Sequence, residues 1–96
     1  MDSRIQTEKE CYFCGRRDQL HSHHIFGGNP GRKNSEKYGL KVWLCMEHHT
    51  GDTGVHKNPR GQLNWNLKRL GQQTFERECG DRNKFMEIFG KNYLED

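Results

Sequence analysis

The chain contains 96 residues, of which 30% are hydrophobic, and its mean hydropathy is −1.19. These values favour one domain over residues 1–96 with a thin core, and small polar domains of this kind commonly depend on a bound metal for stability. No apolar run approaches the ~18 residues of a membrane span, and the chain does not begin like a secretory signal. We therefore expect no membrane contact and a cytoplasmic location.

The net charge of +3 is a mild basic bias, and it is unevenly distributed. Residues 11–60 contain eight Lys and Arg against four Asp and Glu, whereas residues 61–96 contain six of each kind. A polyanion such as nucleic acid would need this local surplus. Ordinary solvated loop charges would produce the same composition, so charge alone leaves both interpretations open.

The first predicted element is a metal-binding turn, which follows a polar lead-in over residues 1–10 that we expect to be frayed. Cys11 and Cys14 have the spacing of a zinc knuckle, and Gly15 allows the unusual backbone that such a turn needs. In a reducing compartment this spacing favours zinc over disulfides. Cys79 is predicted to be a small buried apolar residue.

Two strands are predicted next in the chain. Residues 20–26 form the first, residues 27–31 are a cluster of turn formers, and residues 32–37 continue as an exposed loop. Residues 40–44 alternate apolar side chains with Lys and Trp, which is the period of a half-buried strand. We expect the two strands to pair as a hairpin with a long loop.

The C-terminal half is predicted to be helical. Residues 45–49 begin a short helix, which the turn formers of residues 50–54 interrupt. Asn58 and Pro59 then form a helix start, an N-cap followed by proline at the first helical position. The spacing of the apolar residues carries this helix to residues 79–80.

A last helix is predicted between Asp81, its N-cap, and Gly90, its stop. The predicted apolar positions of the two tail helices are Leu63, Leu67, Leu70, Thr74 or Phe75, Phe85, Met86, Ile88 and Phe89. The fold class is therefore α+β, with a core over residues 11–58 and a helical tail over residues 59–96 that packs against it.

Four residues form a candidate structural zinc site, namely Cys11, Cys14, Cys45 and His48. They are two pairs with the same two-residue spacing, and four protein ligands around tetrahedral zinc make a closed site. The ion would tie the start of the domain to the end of the hairpin.

The remaining histidines form a candidate for a second, open metal site. Neighbours on a helical turn point about 100° apart, so zinc binding by His48 leaves His49 free for another ion. His23 and His56 are the other candidate ligands. His24 points to the opposite strand face from His23, which suits a division of labour in which His23 binds metal and His24 handles a proton.

The order Cys-x2-Cys, His-His-Ile, Leu-Cys-x2-His-His resembles the HNH nuclease family, whose ββα-metal (His-Me finger) core also occurs in colicin-type nucleases. The pattern is similar to the zinc-ribbon members of that family, and the short chain to phage-encoded members. The resemblance covers residues 11–58. It implies that His23, His49 and His56 bind the catalytic metal and that His24 is the general base.

The chain departs from the family pattern at two metal ligands. His48 stands where the family usually has a cysteine, a change that zinc tolerates. His56 lies further from His49 than is usual in the family.

The middle asparagine of the family name is also displaced. Gly39 or Leu40 occupies its expected place. Asn34 or Asn29 is a candidate substitute, because that residue mainly braces a loop through hydrogen bonds.

The resemblance implies metal-assisted hydrolysis of DNA phosphodiester bonds to 5′-phosphate and 3′-hydroxyl ends. Imidazole ordinarily titrates near neutral pH, so a histidine can accept a proton from water there. Besides the structural Zn²⁺, one catalytic divalent ion is expected; imidazole ligands suit Ni²⁺, Co²⁺, Mn²⁺ or Zn²⁺ better than Mg²⁺. The expected partner is DNA with little sequence specificity, and phage packaging or recombination proteins are further candidates.

Two points stay open at this stage. His21 shares the strand face of His23 and is either a phosphate contact or a hydrogen-bonded histidine. The main alternative function is a non-catalytic zinc-binding module that recognises nucleic acid or protein, and a second is a nuclease subunit that acts only when docked on a larger machine.

Overall fold

The computed structural model describes residues 3–28, 30–52 and 54–94. Its elements are, in order, β1 (Leu20–His24), α1 (Gly31–Tyr38), β2 (Lys41–Cys45), α2 (Met46–His49), α3 (Gln62–Glu78) and α4 (Arg82–Phe89). The described residues thus form a two-stranded antiparallel sheet and four helices, which confirms the α+β class. None of these helices has the length and apolarity needed to cross a bilayer.

The hairpin register separates the two histidines of the doublet. His23 pairs with Val42 and His24 with Lys41, and paired residues of a sheet share a face. His23 is consequently buried beside the core, only 7% exposed, while the side chain of His24 on the other face is 26% exposed. The prediction that the two rings occupy opposite faces is confirmed.

The predicted exposed loop over residues 32–37 is wrong, because these residues form α1. Apart from Ser35 the helix has no fully buried residue, so its sequence shows no apolar periodicity from which a helix could be predicted. The Ser35 hydroxyl donates to the carbonyl of Phe26 and accepts from its N–H, both at 3.0 Å. Gly39 ends the helix in the left-handed conformation, at φ 68°.

The second strand is more covered than its alternation predicts. Lys41 is only 5% exposed, and its ammonium pairs with the carboxylate of Glu36. The outer edge of β2 bonds to the lead-in: the Ser3 hydroxyl donates to the carbonyl of Lys41, and the side-chain carbonyl of Gln6 accepts from the N–H of Trp43. Residues 3–10 are therefore attached to the domain, contrary to the frayed lead-in expected over residues 1–10; residues 1 and 2 lie outside the described part of the chain.

The two tail helices are present, with one boundary displaced. α3 begins at Gln62 with Gly61 as its N-cap, and not directly after Asn58 and Pro59. The expected cap is otherwise engaged, since the Asn58 amide donates to the carbonyls of Asp52 and Gly54.

The limits of α4 match the prediction. The Asp81 carboxylate accepts from the N–H of Lys84 at 2.8 Å, and Gly90 ends the helix at φ 80°. Two residues that were predicted to be buried are less buried than expected. Met86 is 42% exposed, and Cys79 is half-buried against the edge of the core and not within it.

The core lies between the hairpin and the tail helices. Val42 and Leu44 of β2, Leu67 and Phe75 of α3, and Phe85 of α4 are all fully buried. α3 packs against Ile25 and Phe26, which directly follow β1, and Lys68 of α3 thereby lines a cleft together with histidines of the sheet.

Gly71 allows the close approach of α3 to the two residues that follow β1. A Cβ at this position would lie 2.8 Å from a ring carbon of Phe26 and 3.1 Å from a methyl carbon of Ile25. Alanine normally stabilises a helix interior over glycine by up to about 1 kcal/mol, whereas overpacking a core costs about 1–3 kcal/mol. Because the added methyl group would meet two buried side chains, the cost of overpacking outweighs the gain in helix propensity.

We therefore predict that Gly71→Ala lowers the free energy of unfolding, measured by urea denaturation, despite its better helix propensity. The matched control is Gly27→Ala, because a Cβ there would meet no heavy atom within 4 Å. Equal stability of the Gly71→Ala variant and the wild-type chain would show that α3 does not pack this closely.

Candidate metal centres

The first cluster comprises the four residues predicted for the structural site: Cys11, Cys14, Cys45 and His48. A turn closed by the N–H of Gly15 on the carbonyl of Cys11, at 2.9 Å, presents the first two thiols. Cys45 ends β2, and His48 lies on α2 one turn later. Every pair of donor atoms lies within 4.8 Å, so the four side chains are close enough to hold one metal ion.

Two of three donor distances within the first cluster match a tetrahedral ion, and the third is shorter. The sulfurs of Cys14 and Cys45 are 3.8 Å apart, and His48 Nδ1 lies 3.6 Å from Cys11 Sγ and 3.2 Å from Cys45 Sγ. Bond lengths of 2.3 Å to sulfur and 2.0–2.1 Å to nitrogen place tetrahedral ligands about 3.5–3.8 Å apart.

The backbone around Cys11 favours the thiolate, which is the form that binds metal. Burial by itself would raise the pKa of this thiol. The N–H groups of Cys45, Cys14 and Phe13 point at its sulfur and outweigh that effect, so the pKa of Cys11 falls to about 6.

The second cluster comprises His23, His49 and His56, whose ring nitrogens all lie within 4.8 Å of one another. They come from β1, the end of α2 and the loop that follows. Nε2 of His49 and Nε2 of His56 are 3.0 Å apart. Nε2 of His23 is buried and has no hydrogen-bond partner within the described residues, an arrangement that calls for a ligand.

The loop after α2 folds back along the helix and delivers His56 to the cluster. The N–H of Val55 donates to the carbonyl of His48 at 2.9 Å, and the N–H of His56 donates to the carbonyl of His49 at 3.1 Å. The Asn58 amide braces the same loop. Because the loop folds back along α2, the two rings lie side by side despite the long spacing between His49 and His56 in the sequence.

Burial favours the uncharged form of two of the three histidines, His23 and His49. It lowers the pKa of His23 to about 3, with further contributions from His49 and His56, and it lowers the pKa of His49 to about 4, with contributions from His56 and His21. Neutral imidazoles keep a lone pair for a metal ion at pH 7.

His21 stands behind the second cluster. Its Nδ1 lies 2.8 Å from Nδ1 of His49, so of the two interpretations open from the sequence the structure shows the hydrogen-bonded histidine. If His49 binds an ion through Nε2, its Nδ1 must carry the proton and donate it to His21. Such outer hydrogen bonds set the tautomer and orientation of metal-binding histidines.

His24 lies outside both clusters but shares a cleft with the second. This cleft, of about 430 Å³, is also lined by His23, His49 and His56. Nε2 of His24 is 3.5 Å from the carboxylate of Glu36, which Lys41 also contacts. His24 additionally lines a larger cleft of about 890 Å³ along α1, so it stands where the two clefts meet.

Neither Asn34 nor Asn29 is seen to brace a loop through hydrogen bonds, the role expected of the family's middle asparagine. The side chain of Asn34, on α1, makes no hydrogen bond within the described segments, and Asn29 lies outside them. Ser35 braces the loop after β1 and Asn58 braces the loop that carries His56. The sequence held a signal for Asn58, which resembled a helix cap, but none for Ser35.

No family model matches the chain, and comparisons with curated proteins and with solved structures find no match either. Function is consequently inferred from the two clusters and the clefts beside them.

The first cluster predicts that Cys14→Ala removes the bound metal, because three ligands no longer close the site. Since the core is thin, the variant should also lose much of its tertiary structure. Elemental analysis with near-ultraviolet circular dichroism measures both. The control is Cys79→Ala, which removes a cysteine outside the cluster and should keep the metal; full metal content in Cys14→Ala would contradict the assignment.

The second cluster predicts that His21→Phe weakens metal binding by about 10–100-fold, because the ring contact remains while the acceptor for His49 is lost. Calorimetric titration of Ni²⁺ into protein with a filled first cluster measures this affinity. His24→Ala removes an imidazole from the opposite strand face and should leave the affinity unchanged. An unaltered Ni²⁺ affinity in His21→Phe would show that the hydrogen bond does not orient His49.

Proposed function

We propose that this chain is a metal-dependent endonuclease that hydrolyses DNA phosphodiester bonds, with an active site of the HNH, ββα-metal type. The observation that carries the proposal is the second cluster. Three histidines converge within one cleft, and the pKa values of His23 and His49 are lowered. The buried Nε2 of His23 lacks a partner among the described residues, and a fourth histidine, His24, lines the same cleft.

The two clusters suit different metal roles. Three thiols and one imidazole make a closed set for structural zinc, in which no position remains for water. Three imidazoles leave positions open for water and substrate, and they suit Ni²⁺, Co²⁺, Mn²⁺ or Zn²⁺ better than Mg²⁺. A divalent ion held by His23, His49 and His56 would neutralise charge on the phosphate and on the departing 3′ oxygen.

His24 is the general base in this proposal. Its imidazole takes the proton from the water that attacks phosphorus. Glu36, held in turn by Lys41, lies beside Nε2 and orients the ring, which leaves Nδ1 as the proton acceptor. The hydrolysis places the phosphate on the 5′ end and a hydroxyl on the 3′ end, as the resemblance to the family implies.

The larger cleft supports DNA as the substrate. Arg32, Lys33 and Lys37 of α1 line it and have no carboxylate partner within the described residues, while Glu36 is engaged by Lys41. Free cations bind phosphates irrespective of base sequence. So small a surface does not suit recognition of a long site, which favours cleavage with little sequence specificity.

A non-catalytic zinc module accounts for less of the molecule. It uses the first cluster and the basic cleft, but it leaves the buried nitrogen of His23 and the convergence of His49 and His56 without a purpose.

We predict that His24→Ala keeps both metal ions and its affinity for DNA, because a proton acceptor is not a ligand. Plasmid cleavage at neutral pH should nevertheless fall by about 10²–10⁴-fold. His23→Ala is the matched variant on the neighbouring position, and it should lose cleavage together with the second metal.

Metal content, DNA affinity and initial cleavage rate are measured on the same preparations. A His24→Ala protein that cuts at nearly the wild-type rate would make His24 structural. One that has also lost the second metal would make it a ligand.

A further inference from the structure

Lys68 of α3 lines the cleft of the second cluster, although α3 lies outside the part of the chain with the zinc-binding pattern. Its ammonium lies 5.1 Å from the centre of the Phe26 ring and 5.8 Å from that of Tyr93. The side chain is half-buried. Burial, with a contribution from Lys91, lowers the pKa of Lys68 below its usual range.

Lys68 has no carboxylate partner within the described residues, unlike many other cations of this chain. Arg4 pairs with Glu78, and Lys41 pairs with Glu36. A desolvated ammonium without an anion is unfavourable, and contact with aromatic faces offsets only part of that cost. Within the described part of the chain, no carboxylate offsets the charge of Lys68, which leaves its ammonium able to bind an anion.

We propose that Lys68 is an anion-binding residue of the cleft and that it contacts a non-bridging oxygen of the phosphodiester to be cleaved. This inference rests on the proposed function. Two features of the cleft support it. Arg32 of α1 lines the same cleft, so two elements contribute cations to it, and the three histidines of the second cluster line it as well.

In this arrangement Lys68 is a catalytic residue contributed by the tail. The compact ammonium offers three donors to phosphate oxygens, and it lies close to the Phe26 and Tyr93 rings. Its positive charge offsets the negative charge that builds on the phosphate during attack. The helical tail is then part of the active site as well as of the core.

The first test is the salt dependence of DNA binding, measured with a short duplex, the first cluster filled and the second empty, so that no strand is cut. Lys68→Met keeps the apolar stem and removes the charge. It should reduce the slope of log affinity against log salt by about 0.9, the value for one phosphate contact. Lys68→Arg should restore the slope.

Lys91→Met is the matched control, because Lys91 also lies over the Tyr93 ring, at 5.3 Å, but does not line the cleft. Its slope should equal that of the wild-type chain. A slope unchanged in Lys68→Met, or reduced equally in both variants, overturns the proposal whether or not the protein cuts DNA. A reduced slope only in Lys68→Met, in a protein that cuts nothing, upholds the anion site and rejects the nuclease.

A second measurement decides the matter on the wild-type chain if Lys68→Met does not fold or the protein binds no duplex. The side-chain ammonium signals of Lys68 and Lys91 are followed by nuclear magnetic resonance during titration with inorganic phosphate. A shift of the Lys68 signal alone supports the anion site. A shift of both signals or of neither contradicts it.

Discussion

The convergence of the four side chains of the first cluster is the constraint on which the geometry of the second cluster depends. α2 has four residues, far fewer than an isolated helix needs for stability. Cys45 and His48 tether its two ends, and the next residue, His49, belongs to the second cluster. A structural ion that holds this short helix against the turn at residues 11–14 would thereby position the ring of His49.

The rest of the second cluster is positioned by hydrogen bonds and by the hairpin. The register of β1 and β2 buries His23 beside Val42 and leaves His24 on the opposite face. The loop after α2 returns along the helix and is braced by Asn58. The hairpin, one helical turn and one loop thus bring His23, His24, His49 and His56 to one cleft, and Lys68 of α3 lines it as well.

The sequence predicted those features that depend on local chemistry. Ligand spacing indicated the first cluster, the histidines that it left unassigned indicated the second, and the caps Asp81 and Gly90 marked α4 correctly. α1 was not predicted, because its buried residue is a single serine and it has no apolar stripe that the sequence would show. Lys68 was also missed, because a lysine on an amphipathic helix has the pattern of a solvated residue until packing brings it into a cleft.

In the proposed function, a divalent ion at the second cluster enables the protein to hydrolyse DNA. The most direct test adds one kind of divalent ion at a time to protein whose second cluster is empty. Protein with a filled first cluster and an empty second cluster is incubated with supercoiled plasmid and, separately, Ni²⁺, Co²⁺, Mn²⁺, Zn²⁺ or Mg²⁺. We expect nicked and linear products with 5′-phosphate ends in at least one of the first four ions and none without a divalent ion. An intact plasmid under every condition, or equal cleavage with the second cluster empty, would contradict the account.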